Sequence, residues 1–284
     1  MTDHTTTPDP SRSIRAWRVL KRLWQLIDDK NLGLISAGVA FWAILSVFPG
    51  LAATIALWGV IGDPDLALQQ LAAFQAVLPG DVYTLISGQL EALSMADGLT
   101  LGWASVLSFV LALWSARAGV AALIQGLNAI HGVPNRSGVA HAARALFLTL
   151  SLIGVVLVAM ACIVVMPVVL AFFPLGPWAG AGVTVLRWGI GLAVLLVGFS
   201  LIYRVGPNLR NRKLPRFVTA GTVFAAGGWV AASVGFSIYL QNFGTYNEVY
   251  GSIGAVMAML MWLFLSAFMV LLGAALDASL RRTV

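Results

Sequence analysis

The stretch Ser233–Phe264, SVGFSIYL-QNFGTYNEVYGS-IGAVMAMLMWLF, sets two apolar runs on either side of a polar patch. The patch, 241–252, holds two Asn, two Tyr, two Gly and one acid, Glu248. Neither flank shows the in-out alternation of a barrel strand. Each continues long enough to cross a bilayer as a helix, for which roughly 18 or more apolar residues are needed. Water is absent from the hydrocarbon core, so a crossing chain must pair its own backbone, and a helix does so within one segment. The stretch therefore reads as two membrane helices joined at a polar break.

Working outward, the same pattern recurs. The chain is 60% hydrophobic and 10% charged, against about 25% charged in soluble domains. The expected fold is all-α, a polytopic membrane protein with six transmembrane helices plus amphipathic surface helices. The expected spans are about 32–62, 98–117, 145–173, 182–203, 217–240 and 251–276, within a membrane domain over 31–282. Arg117 closes the second span in this reading, although the helix can continue through GVAALIQGLNAIHG. Residues 1–13 read as a disordered cytoplasmic tail without the basic and apolar regions of a cleaved signal. Residues 14–30 read as an amphipathic interfacial helix. Ile14, Trp17, Leu20, Trp24 and Ile27 form its stripe, Arg15, Arg18 and Arg22 lie opposite, and Lys21 is at the edge. Such a helix lies in the headgroup layer or packs beside the bundle. Between Asp63 and Gly98, the patterns Ala67-Leu71-Phe74-Leu78 and Val82-Ile86-Leu90-Leu93 suggest two short surface helices.

The net charge is +6. Of the 17 Lys and Arg residues, all but Arg187 fall on one side of a six-span arrangement. That is the positive-inside pattern, which places both termini in the cytoplasm. Asp63, Asp65, Asp81, Glu91, Asp97 and Glu248 fall on the other side. The basic excess thus carries topology and calls for no nucleic acid. Two short elements, VPNR at 133–136 and GPNLR at 206–210, echo each other in inner loops. Pro-Asn pairs are also ordinary turn chemistry.

Catalysis finds little support. His4, His131 and His141 are scattered, the acids are isolated, and no phosphate loop, HExxH or GxSxG pattern occurs. No metal, cofactor or enzyme activity is expected, and the single Cys162 rules out a disulfide within the chain. Polar clusters remain as candidate substrate-binding groups. Asn242, Tyr246, Asn247 and Glu248 sit at the break, either as an outer loop with interfacial tyrosines or as a site at interrupted helices. Tyr203, Arg204 and Asn208 sit at the inner end of span four, either as a basic turn or as a site. Arg117 and Asn128 follow Trp114-Ser115. An ionisable group inside a span points to function, whereas one at its end only marks the interface. Asp277 is the acid near the C-terminus. The small-residue stretches GVAFWAILSVFPG, GTVFAAGG and GSIGAVMA suggest close helix contacts. Gly227 and Gly254 are then positions where added bulk should be harmful.

Several motifs together resemble the YihY / virulence factor BrkB family, once called ribonuclease BN. They are ISAGVAFWAILSVFPGLA with Phe41, Trp42, Ser46, Phe48 and Pro49; LALWSARAGVAALIQGLNAIHG with Trp114, Ser115, Leu127 and Asn128; YRVGPNLRNRKLP; and the long C-terminal element from Tyr239 to Leu280. The resemblance covers about residues 14–282. It implies a six-helix protein of the bacterial inner (plasma) membrane, linked to envelope integrity and resistance to host killing. The family often carries Glu within LLGAELN; Ala275 stands at that place here, and Asp277 lies two residues on. The expected function is translocation of a lipidic or envelope-related amphipathic substrate, with a non-transporting membrane scaffold as the alternative. Expected partners are membrane lipids, and besides them a second copy or an envelope protein.

Overall fold

The computed structural model describes residues 12–61, 87–88, 98–171, 179–209, 216–242 and 244–281. The described chain is helical and contains no strand. Its elements are α1 (Arg12–Asp29), α2 (Leu32–Ile61), α3 (Gly98–His131), α4 (Gly138–Ala171), α5 (Ala179–Val205), α6 (Ala220–Asn242) and α7 (Gly244–Arg281). Six of them, α2 to α7, contain stretches long and apolar enough to cross a membrane. The tail before residue 12 and most of the segment between α2 and α3, where two surface helices were expected, lie outside the described residues.

Two helix boundaries differ from expectation. α3 does not end at Arg117 but runs 34 residues to His131, about 51 Å at 1.5 Å per residue. Its apolar stretch spans Val106–His131, so Arg117 lies inside it. Nothing in ARAGVAALIQG breaks a helix, and one charge does not interrupt backbone pairing. The polar patch is mostly helix as well. α6 ends at Asn242 and α7 begins at Gly244, so Thr245–Tyr250 form the first turns of α7.

The stops follow local chemistry. Gly132 adopts φ 63°; its N–H bonds Ala129 O at 3.2 Å and the Val133 N–H bonds Asn128 O at 3.0 Å. That is the left-handed glycine cap that ends helices. Asn31, at φ 50°, separates α1 from α2, a conformation that Asn tolerates better than most residues. At the start of α6, Thr219 O accepts from the Val223 N–H at 3.1 Å. Thr219 Oγ1 accepts from the Thr222 N–H at 3.1 Å, so Thr219 is the N-cap.

The chain divides into two compact units. Unit 1 comprises residues up to Ser36, Ala122–Val234 and Leu265 onward; unit 2 comprises Ala37–Ala121 and Gly235–Phe264. In unit 1 the buried side chains include Leu32, Ile124, Leu127, Ile130, Leu148 and Leu271, with Ala145, Ala225, Ala226, Ala274 and Ala275 between them. Phe147, Leu157, Trp188 and Val223 point outward. In unit 2, Gly119 lets α3 approach α2, where an added Cβ would lie 3.4 Å from Trp42 Cβ and 3.5 Å from Val39 O. Small residues among the buried aliphatics and large apolar ones outside suit a bilayer, where lipid solvates the outer face and close backbone approach provides packing energy.

Candidate functional site

Unit 1 gathers a polar cluster at the C-terminal ends of α3, α5 and α7 and the N-terminal ends of α4 and α6. Asn128, on the last turns of α3, is 1% exposed. Its Nδ2 donates to Asn135 Oδ1 at 2.8 Å, and its Oδ1 accepts from the Asn208 N–H at 2.8 Å. Asn208 Nδ2 donates to Pro134 O at 3.1 Å. The two Pro-Asn turns that echo each other in sequence therefore touch. Arg136 adds to the same contact, donating to Gly206 O and Pro207 O, each at 3.4 Å. Arg144 donates through Nε to Val205 O at 3.2 Å. These carbonyls lie at and just past the C-terminal end of α5, which carries partial negative charge, so two guanidinium groups suit them; Pro207 O also accepts from the Leu209 N–H at 3.0 Å. Burial, and after it the neighbouring charge of Arg144, lowers the pKa of Arg136; the guanidinium stays charged at physiological pH.

A second cluster fastens α6 to α7. Asp277 is 8% exposed. Its Oδ1 accepts from the Gly221 N–H at 2.7 Å, and its Oδ2 accepts a short hydrogen bond from Thr219 Oγ1. A carboxylate at a helix N-terminus meets unpaired N–H groups and the positive end of the dipole. The contact requires glycine on both helices. A Cβ on Gly273 would fall 2.5 Å from both Gly221 O and Tyr203 Oη, and one on Gly221 would overlap Gly273 O. Tyr203 is buried beside them and donates to Val270 O at 2.6 Å. Farther along α6 and α7, Trp229 Nε1 donates to Ser266 Oγ at 2.9 Å.

The sequence candidates thus separate. Asn128, Tyr203, Asn208 and Asp277 all fall in unit 1, and their polar atoms are engaged in holding helix ends together. Arg204, half-buried, places Cζ 5.5 Å from the Phe217 ring centroid. Arg117 belongs to unit 2. Its Cζ lies 4.6 Å from the ring centroid of Trp114, a cation–π contact, and Trp114 is exposed. The Nε of Arg117 is buried with no hydrogen-bond partner among the described residues. Asn242, Tyr246, Asn247 and Glu248 lie on the backbone of α6 and α7, and their side chains are outside the described ones. Gly227 has open space around its Cα, whereas Gly221 and Gly273, and also Gly126 and Gly206, are crowded.

Sequence reasoning did not single out Arg144, Thr219 and Thr222, and it read Asn135 and Arg136 only as part of the VPNR turn. A signal for the threonines was present, since Thr219-Ala-Gly-Thr222 stands just before an apolar run, as an N-cap does. Ala275, at the place of the family's Glu, is buried, and its carbonyl accepts from Ser279 Oγ at 2.8 Å. Among the described residues, no group of three or more His, Cys, Asp or Glu stands close enough to hold a metal.

Comparison with known proteins gives a consistent set. The model of a family described as Virulence factor BrkB matches residues 23–284. A protein of Bacillus subtilis strain 168, named YfkH and called ribonuclease-like, is 31% identical over 263 residues, covering 87% of this chain and 89% of its own. A UPF0761 membrane protein of Nitrosospira multiformis is 40% identical over 89 residues, 31% of this chain and 20% of its own. Another, from Aeromonas salmonicida, is 35% identical over 101 residues, 33% and 34% of the two chains. No solved structure matches.

Proposed function

The chain belongs to the virulence factor BrkB family of multi-pass membrane proteins, and from that premise we propose that it is a translocator of an anionic amphipathic substrate, lipidic or envelope-derived. The observation that carries this reading is Arg117. A guanidinium inside an apolar span is costly, and such groups mark substrate pathways by default. This one is stacked on an outward-facing Trp114, and its buried Nε has no hydrogen-bond partner among the described residues. An anionic headgroup supplies the bidentate acceptor that Arg favours, while its acyl chains remain along Trp114 and the neighbouring apolar surface. The protein works in this reading without catalysis, in the bacterial inner (plasma) membrane. Both termini are cytoplasmic, as the one-sided distribution of Lys and Arg supports.

A purified chain reconstituted into vesicles with a fluorescent anionic lipid tests the proposal. Wild type should move the lipid between leaflets. Arg117→Gln should abolish movement with the fold intact, and Arg117→Lys should retain part of it. A protein that neither binds nor moves lipid sinks the proposal.

The scaffold alternative draws on the Gly221–Gly273 contact and the polar fastening of unit 1, which are features of a rigid body. It expects Arg117→Gln to be silent and bulk at Gly221 or Gly273 to abolish envelope function. The nuclease suggested by the name of the Bacillus relative would return if RNA cleavage survived chelation and repeated purification.

A further inference from the structure

We propose that unit 1 carries a binding site for a zwitterionic ammonium–phosphate group, of the phosphoethanolamine type, on the inner face of α1. The site stands apart from Arg117 and requires no transport.

α1 has two faces with different surroundings. Trp17, Leu20 and Trp24 share one face and are 67%, 57% and 73% exposed. In a membrane protein that face enters the acyl and headgroup boundary. Arg22, Gln25 and Asp29 recur at helical spacing on the other side, and Lys30 follows in the turn after α1. They line a cavity of about 330 Å³ against the ends of α3 and α7, represented by Ile130 and Ala278. That volume is in the range of small-molecule sites.

The lining determines the ligand class. Ile130 and Ala278 are buried and apolar, so they provide a floor for methylene groups. Arg22 and Lys30 supply two positive charges and Asp29 one negative, on one wall. Two cations match a phosphodiester or phosphomonoester. A carboxylate beside them would repel a purely anionic group but accept hydrogen bonds from a primary ammonium. Phosphate and ammonium joined by two methylenes satisfy both ends. The exposed Trp face of the same helix sits at the depth where such a headgroup lies, which favours a membrane lipid as the source over a soluble ligand.

Native mass spectrometry of the full chain, released from detergent micelles with equal amounts of phosphatidylethanolamine and phosphatidylglycerol, tests this. Wild type should retain phosphatidylethanolamine roughly tenfold better, the scale of one lost hydrogen bond to a charged group. Asp29→Asn should erase that preference, and Lys30→Gln should weaken both lipids. Gln25→Trp should block binding by filling the cavity while leaving every charge in place. Gln25 and Asp29 lie on α1 and Lys30 in the turn that follows it, and unchanged thermal stability of each variant confirms an intact fold. Binding of millimolar phosphoethanolamine by a chain that retains neither lipid would keep the site and assign it a soluble ligand. Equal retention of the two lipids by wild type, or a preference that survives Asp29→Asn, would overturn the proposal. Binding without leaflet exchange would remove the translocator reading and leave this one standing.

Discussion

Replacing Asp277 separates a structural carboxylate from a ligand-binding one. In Asp277→Ala the buried Gly221 N–H loses its acceptor, and an orphaned buried donor costs about 1–3 kcal/mol. Loss of the anion at the N-terminus of α6 adds about 0.3–2 kcal/mol, toward the upper end in a buried setting. Thr219 keeps a partner, because its Oγ1 lies 2.8 Å from Thr222 Oγ1, so its loss is small. The sum is about 3 kcal/mol, a fall in melting temperature of roughly 6–12 °C for a chain of this size. Asp277→Asn should cost only about 1 kcal/mol, because one oxygen still accepts from Gly221 and mainly the charge is lost. Thermal unfolding of the detergent-purified variants, followed by size-exclusion fluorescence, measures both. An unchanged melting temperature for Asp277→Ala together with lost lipid movement would refute the argument and assign the carboxylate to a substrate.

Asn128→Leu preserves volume but leaves the Asn208 N–H and the Asn135 side chain without partners; it should cost about 2 kcal/mol in the same unfolding assay. Gly273→Ala forces a Cβ against Gly221 O and Tyr203 Oη and should cost about 1–3 kcal/mol or prevent folding. Gly227→Ala meets open space and should be neutral or stabilising by up to about 1 kcal/mol through helix propensity. Trp229→Phe removes the bond to Ser266 Oγ and should lower stability by about 1 kcal/mol, with a smaller effect when Ser266 is already Ala.

The spans were legible because hydrophobic length is a one-dimensional property that survives reading along the chain. Where α3 ends was less so. Arg117 looks like an interface marker in sequence, and only the glycine cap at Gly132 shows where the helix stops. Asn128, Tyr203, Asn208 and Asp277 could be picked out as polar residues in apolar surroundings. Their roles could not, because each depends on a partner far along the chain, such as Val270 for Tyr203 and Gly221 for Asp277. The same limit explains the glycines. GTVFAAGG contains both Gly221 and Gly227, and composition alone cannot tell the one pressed against Gly273 from the one facing open space. The echo of VPNR and GPNLR marked a real juxtaposition, since Asn208 meets Pro134 and Arg136 meets Pro207.

Movement of an anionic amphipathic substrate by way of Arg117 is tested most directly by the time course of chemical quenching of a fluorescent anionic lipid in vesicles containing the purified chain. Quenching should proceed past the outer-leaflet level with wild type and stop at that level with Arg117→Gln of equal stability. Arrest at the outer-leaflet level with wild type itself, or full quenching with Arg117→Gln, would contradict it.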